Sequence, residues 1–163
     1  MMPARATADS GPRALDAGDL ERVIAIDGAH AGHTRRRFFE KRFAVAAAHP
    51  EDFVHVGVMR GGALRGFAFA RLLRGEFGRE NVTAVLDAIG VEPPSRETGI
   101  GRSLIEELVA RLRPAGARTL HSQAEWSDPE LTHFFAAAGF RLAPRVALER
   151  SLATPLVEPV EDV

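Results

Sequence analysis

Apolar and polar residues follow two patterns along the chain, one typical of strands and one typical of helices. Val82–Val91 is mainly aliphatic and β-branched, and Pro93-Pro94 cannot continue a sheet ladder, so the pattern predicts a strand that stops near Glu92. From Gly99 to Arg113, apolar residues recur every three or four positions with charged residues between them, which predicts an amphipathic helix. This strand, turn and helix are the predicted centre of the fold.

The remaining pattern predicts strands and helices on both sides of that centre. Ahead of it are a strand at Arg13–Leu15, a helix from Asp16 or Asp19 to Gly28–Gly32, a helix that begins at Thr34 and stops before Pro50, and a hairpin of Phe53–Arg60 and Leu64–Leu73. After it come a strand at Arg118–Glu125, a helix ending at Gly139 and a last strand at Val146–Leu152. Ser127, three residues before Glu130, is the predicted cap of that last helix.

Length and composition favour one domain and give no sign of a charged partner. The chain has 163 residues, a formal net charge of −1 and no cysteine. We therefore expect neither a nucleic-acid nor a membrane partner, and a cytoplasmic location is the prediction. Residues 1–12 are a predicted disordered leader, 13–152 the domain, and 153–163 a flexible tail.

The turn between the central strand and helix has the composition of an anion site. Arg96 is followed by Gly99 and Gly101 in the pattern R-x-x-G-x-G. Glycines let a ligand approach the backbone, and the unpaired amides of a first helical turn attract phosphate. The alternative is a tight turn that needs glycine for its dihedral angles, and the pattern is neither a P-loop nor a complete dinucleotide fingerprint.

The strand and turn together resemble motif A of the GNAT superfamily of acyl-CoA-dependent N-acetyltransferases. The resemblance is carried by Ala88–Pro93 and by Arg96, Gly99, Gly101 and the helix start that follows. It implies an α/β fold with a mixed central sheet flanked by helices, acetyl-CoA as co-substrate, and direct attack of an amine on the thioester. His30 and His33 lack a third ligand at useful spacing, so no metal is expected.

The same resemblance assigns residues to the coenzyme. Ile89 and Val91 would offer backbone contacts to pantetheine, and Asp128 stands where the family often has asparagine. The residues that this resemblance implies for binding of the pyrophosphate are Arg96, Gly99, Gly101, Arg102 and Ser103. Phe134 and Phe135 would form the wall of the site at the thioester end of the coenzyme. Arg102 has an alternative role, since it can form an ion pair with Glu106 one helical turn away.

Two positions bear on the chemistry of transfer. Asp87 lies where many family members carry an acidic residue, and a carboxylate within an apolar strand is costly to bury unpaired, so a base or water-relay role stands beside a paired structural role. The family's usual acid is a tyrosine four residues before the Gly-Phe pair. Phe135 takes that place, and the chain contains no tyrosine.

The predicted acceptor residues come from the two N-terminal helices, which in the family cover the acceptor groove. They are His33, Phe38 and Phe39. The neighbouring run Arg35–Arg37 is either a solvated helix face or an anion attractor. The leading hypothesis is N-acetylation of a small amine; the alternatives are acetylation of a protein lysine or amino terminus, and a non-catalytic acyl-CoA-binding module. Family analogy also predicts a homodimer.

Overall fold

Five strands form one mixed sheet with helices on both faces. The computed structural model describes residues 11–78 and 80–153. In spatial and chain order the strands are β1 (Gly11–Ala14), β2 (Phe53–Arg60), β3 (Ala63–Leu73), β4 (Val82–Val91) and β5 (Ala117–His121). The helices are α1 (Leu20–Ala31), α2 (Arg36–Ala48), α3 (Ile100–Leu112) and α4 (Pro129–Ala137). Strands β1 to β4 pair with one another in antiparallel order and β5 is parallel to β4, so the predicted mixed α/β sheet is confirmed.

Each face of the sheet carries its own hydrophobic core. The α3-side core consists of Val56, Val58, Ala68, Ala70, Leu72, Ala84 and Leu86 from the sheet, Ile100, Leu104, Ile105, Leu108 and Leu112 from α3, and Phe135. The α1-side core consists of Val23, Ile24, Ile26, Phe39, Leu64, Phe67, Phe69 and Ala88. The buried stripe of α3 is the one predicted from its spacing, and each such side chain contributes about 1.5–3 kcal/mol to the free energy of unfolding.

Most predicted boundaries agree with the structure, and the differences have local causes. Strands β2 and β4 have their predicted bounds. Strand β1 begins at Gly11, because residues 11–14 pair with residues 56–59 of β2; the predicted leader therefore extended too far, and its residues 1–10 lie outside the described part. Helix α4 is capped by Asp128, whose Oδ1 accepts from the amide of Leu131 at 2.9 Å, rather than by Ser127.

The predicted last strand at Val146–Leu152 is wrong. The structure has no strand among described residues after α4, and Val146, Leu148 and Leu152 are exposed, Leu148 by 90%. Alternating apolar residues favour a strand only when a neighbouring edge accepts them, and β5 ends at His121 without pairing with this segment. Of the predicted tail, residues 154–163 lie outside the described part. No helix within the described ranges is long and apolar enough to cross a membrane.

A partly buried histidine on β2, His55, is expected to make stability depend on pH. His55 stacks on Phe69 with ring centroids 4.0 Å apart, and its Nε2 is buried without a hydrogen-bond partner in the described part of the chain. Burial, and then the charge of Arg42, lowers the His55 pKa from 6.5 to about 4. The unfolded chain binds the proton more readily, so this contribution is complete above pH 6.5 and is lost as the pH falls towards 4.

His55→Phe should remove the loss of stability that protonation of His55 causes at acidic pH. We expect the variant to gain about 2–3 kcal/mol relative to the parent between pH 7.5 and pH 4.5, because phenylalanine fills the same space without a titrating group. Urea unfolding at both pH values measures the difference. Stability curves that run parallel from pH 7.5 to 4.5 would show that His55 does not contribute to the pH dependence.

Candidate functional site

The edge of β4 that faces β5 is only partly paired. Strand β3 pairs with β4 from Thr83 to Val91, whereas β5 pairs with β4 only from Val82 to Val85. Ser122 Oγ donates to the Leu86 carbonyl oxygen at 3.4 Å, at the point where the two strands separate. Beyond that point no described strand covers the edge, so its backbone groups, including those of Ile89 and Val91, are available to a ligand. We call this edge, residues 86–91, the β4 groove.

A bulge at Asp87 changes which face the following side chains occupy. Phe69 pairs with Ala88 and Ala70 pairs with Leu86, so Asp87 is the extra residue. Leu86 therefore lies in the α3-side core and Ala88 in the α1-side core. Ile89 and Val91 return to the α3 side, where both pack against the core. The bulge thus places the Asp87 carboxylate on the face covered by α1 and α2.

The connection from β4 to α3, residues 93–99, has a defined backbone shape. A 3-10 turn at Pro93–Ser95 is followed by a hydrogen bond from Thr98 Oγ1 to the Ser95 carbonyl oxygen at 2.5 Å. Gly99 has φ +83°, and Glu97, with φ +60°, is the one non-glycine residue of positive φ among those described. Such dihedrals are unfavourable for a residue with a Cβ, and they often occur in loops that bind ligands.

Helix α3 begins with free amide donors. Gly99 is its N-cap and no side chain caps it. The first backbone bond of this turn runs from the Ser103 amide to the Gly99 carbonyl oxygen at 3.0 Å, so the preceding amides point out of the helix start. Together with the helix dipole they form a site for a phosphate group. The predicted residues Gly99, Gly101 and Ser103 therefore lie together at one anion-binding turn.

The charged residues of this region are exposed and held by neighbouring side chains. The Arg96 guanidinium contacts the His30 ring at the end of α1. Arg102 Nε donates to Glu106 at 2.8 Å, and the Arg102 side chain is 81% exposed. The i, i+4 pair foreseen as the alternative for Arg102 is thus present. Because exposed pairs of this kind are weak, it leaves Arg102 able to turn towards a phosphate.

Helix α4 covers one flank of the α3 start. A Cβ on Gly101 would lie 2.7 Å from Cε2 of Phe134, so the Phe134 ring packs directly on this glycine. Phe135 is buried and packs against Phe134 and Phe140, with centroids 5.5 and 4.8 Å away. The Asp128 carboxylate is engaged as the cap of α4. Its predicted contact with the coenzyme, like the Phe134 and Phe135 wall, stays a prediction.

Asp87 is held by two arginines from different elements. Its Oδ2 lies 3.1 Å from Arg42 Nη2 of α2, and its Oδ1 accepts from Arg71 Nε of β3 at 3.1 Å. The Asp87 side chain is 11% exposed. The structural alternative, a paired aspartate, is therefore present, and it leaves some carboxylate lone pairs free for a further donor. Sequence reasoning missed Arg42 and Arg71, because no local pattern connects them to Asp87.

The three predicted acceptor residues have different surroundings. Phe38 lies beside the Asp87 cluster, since its ring centroid is 5.2 Å from Arg42 Cζ. His33 is exposed, and its Nδ1 donates to the Ala31 carbonyl oxygen at 3.1 Å. Phe39 is fully buried between α2 and the sheet, where it contacts Phe67 and Phe69. Its predicted contact with an acceptor is therefore corrected to a role in the core.

The arginine run is used mainly to connect the two N-terminal helices. Arg35 binds the buried Asp27 through two hydrogen bonds, one of them 3.0 Å from Nε, and these bonds raise the Arg35 pKa. Arg36 binds Glu21 at 2.7 and 2.8 Å. Both arginines thus link α2 to α1. In the described ranges no group of three or more acidic or histidine side chains can hold a metal ion.

Residues 20–140 match the model of the Acetyltransferase (GNAT) family. The chain belongs to the GNAT family. It is 32% identical over 130 residues to serotonin N-acetyltransferase 2, chloroplastic, of Oryza sativa subsp. japonica, which covers 80% of this chain and 58% of that protein. The chain therefore spans a little over half the length of this curated relative.

Solved structures of other acetyltransferases share the fold. AAC(6')-Iy in complex with the bisubstrate analogue CoA-S-monomethyl-acetylneamine matches with a TM-score of 0.73 and 19% identity over 88% of this chain and 99% of that chain. An aminoglycoside acetyltransferase, meta-AAC0020, from an uncultured soil metagenomic sample in complex with sisomicin matches with a TM-score of 0.69 and 16% identity over 86% and 95%. At such identities the likeness shows the fold, and it confirms the predicted GNAT architecture.

Proposed function

We propose that this GNAT protein is an N-acetyltransferase that binds acetyl-CoA and transfers the acetyl group to the primary amine of a small molecule. The observation that carries the proposal is the uncapped start of α3 at Gly99, next to the unpaired β4 groove. The first suits a pyrophosphate and the second suits the amide groups of pantetheine, which can pair with backbone as a strand does. A single extended ligand with both features fits this arrangement.

The chain's own residues then have separate tasks. The amides of residues 99–102 would hold the pyrophosphate, and Ile89 and Val91 would offer backbone groups to pantetheine. Bound acetyl-CoA supplies an acetyl thioester. An alkylamine is almost wholly protonated at neutral pH, so a proton must leave it before attack, and Asp87 is the carboxylate on the face where α1 and α2 lie. It would accept that proton directly or through water.

The charge around Asp87 favours an acceptor with a single cationic group. Two guanidinium groups surround one carboxylate, so the cluster has an excess of positive charge. A polycation such as an aminoglycoside would be repelled there more strongly than a monoamine such as serotonin. The names of the matched proteins include both kinds of acceptor. We propose a monoamine, with homodimerisation and a cytoplasmic location as further proposals from the sequence.

A thiol-release assay with acetyl-CoA tests the function. We expect release of free CoA with at least one class in a panel of arylalkylamines, arylamines, amino acids, sisomicin and lysine-containing peptides, and stronger release with monoamines than with sisomicin. Activity confined to peptides would instead favour acetylation of a protein lysine or amino terminus. Acetyl-CoA alone, without amine, is the control for hydrolysis.

One observation favours a non-catalytic acyl-CoA-binding module as the second candidate. Phe135 replaces the tyrosine that commonly protonates the leaving sulfur, and the ring is buried in the α3-side core. A thiol of pKa about 8.5 leaves tolerably as thiolate, so the loss need not abolish turnover. Binding of acetyl-CoA by calorimetry, combined with no thiol release across the whole panel, would support this second candidate.

A further inference from the structure

A cavity of about 460 Å³ lies beside the start of α3, and Phe134 is not among the residues that line it. Residues lining it include Arg60, Gly61, Arg65, Glu92, Thr98 and Ile100. It is bounded on one side by the β2–β3 hairpin and on the other by the connection from β4 to α3. Because sites for small molecules typically measure about 300–1,000 Å³, the cavity is large enough for part of a nucleotide.

The hairpin is fixed against α3 at this place. A Cβ on Gly66 would lie 2.7 Å from Ile100 Cγ2, so β3 and the first residue of α3 are in close contact. Gly101 itself is in contact with Phe134. Ile100, which lines the cavity, and Gly101, which contacts Phe134, are therefore consecutive residues of the first turn of α3.

The cavity carries an excess of positive charge. Glu92 accepts from Arg22 and from Arg65, the latter at 2.6 Å, and these hydrogen bonds lower the Glu92 pKa, so it is ionised at neutral pH. Arg60 has no carboxylate partner in the described part of the chain, and its Nη2 donates to the Thr98 carbonyl oxygen at 3.3 Å. The lining therefore has two guanidinium groups, those of Arg60 and Arg65, for the one carboxylate of Glu92, which Arg22 also binds from outside the lining.

We propose that this cavity is a second anion subsite, and that Arg60 and Arg65 bind the 3′-phosphate of the coenzyme there. The inference rests on the proposed function, which places a pyrophosphate at the α3 amides. CoA carries its 3′-phosphate one ribose away from that pyrophosphate. Arg60 contacts Thr98, which immediately precedes Gly99, so its remaining N–H groups are next to the turn that would hold the pyrophosphate. Guanidinium groups bind phosphate through paired N–H donors.

Calorimetry with CoA and 3′-dephospho-CoA, at one fixed ionic strength, tests the subsite. We expect the parent protein to bind CoA about 10-fold more tightly than dephospho-CoA, because a hydrogen bond to a charged group strengthens binding by about this factor. Arg60→Gln should bring this ratio close to one by weakening CoA alone. Arg111→Gln is the matched control, because it removes the same charge at the far end of α3, and it should leave the ratio unchanged.

Four outcomes would overturn the proposal. Equal binding of the two ligands to the parent protein would show that the 3′-phosphate is not recognised. If the ratio of CoA to dephospho-CoA affinity is the same in the parent and in Arg60→Gln, Arg60 does not recognise the 3′-phosphate. If Arg111→Gln lowers that ratio as much as Arg60→Gln does, the effect comes from the general surface charge. If neither ligand binds folded parent protein, as judged by circular dichroism, the coenzyme site itself fails and the subsite fails with it.

Discussion

Replacing Gly101 with valine is expected to weaken acetyl-CoA binding by about 100-fold or more while the chain remains folded. Gly101 is the second residue of α3, within the turn whose amides are free. A side chain there keeps a phosphate away from the amides, and losing one or two hydrogen bonds to a charged group, at about 1.5–3 kcal/mol each, gives an effect of this size. Calorimetry measures the binding, and circular dichroism checks the fold.

The contact between Gly101 and Phe134 needs its own control. Because a Cβ on Gly101 would lie 2.7 Å from the Phe134 ring, valine also forces that ring to move, at a cost of about 1–3 kcal/mol in stability. The double variant Gly101→Val/Phe134→Ala relieves the crowding but keeps the turn blocked, so it should bind as weakly as the single variant. Recovery of affinity in the double variant would assign the loss to Phe134. Undiminished affinity in the single variant would refute the assigned pyrophosphate site.

Local sequence signals were sufficient for the elements that present the coenzyme site. The aliphatic run Val82–Val91 and the diproline after it define a strand and its end without reference to the rest of the chain. The spacing of Leu104 and Leu108 likewise defines the buried face of α3. Gly99 is required because the chain has a positive φ there. These features depend on residues close in sequence, and for that reason they could be predicted.

Features that depend on residues far apart in sequence were not predictable in the same way. The Asp87 cluster joins β4 to Arg42 of α2 and Arg71 of β3, and the pairing depends on the bulge at Asp87, which no local pattern announces. The family resemblance predicts that Phe39, like Phe38, faces the acceptor, because both lie in the N-terminal helices that cover the acceptor groove. Only the packing of α2 on the sheet shows which of two adjacent rings lies in the core.

The segment Val146–Leu152 is a further case in which the structure depends on residues far away in sequence. Its pattern favours a strand, but a strand also requires an edge with free backbone groups in reach. Strand β5 ends at His121, and among the described residues the segment pairs neither with the outer edge of β5 nor with the β4 groove. In the proposed function the β4 groove is where pantetheine pairs. A sixth strand seated in the groove would compete with the coenzyme for the same backbone groups.

Asp87→Asn is expected to lower kcat by about 100-fold and to alter the pH dependence of kcat. Asparagine keeps the shape and can still bond to the arginines, but it cannot accept a proton from the ammonium group of the acceptor. Loss of a positioned general base typically costs ~10²–10⁴-fold in rate. Turnover with the best amine of the panel, measured from pH 6 to pH 9 at saturating acetyl-CoA, tests the prediction.

The two arginines make a matched control necessary, because Asp87→Asn also leaves their charges without a counter-ion. That loss should lower the free energy of unfolding by about 1–2 kcal/mol, less than for a fully buried pair, since Arg42 and Arg71 are 26% and 39% exposed. Arg71→Gln breaks the same cluster but retains the carboxylate, so it should be destabilised similarly while keeping the parent pH profile. If both variants have the parent profile and lose activity only in proportion to unfolded protein, Asp87 is a structural residue. The proton acceptor must then be sought elsewhere along the β4 groove.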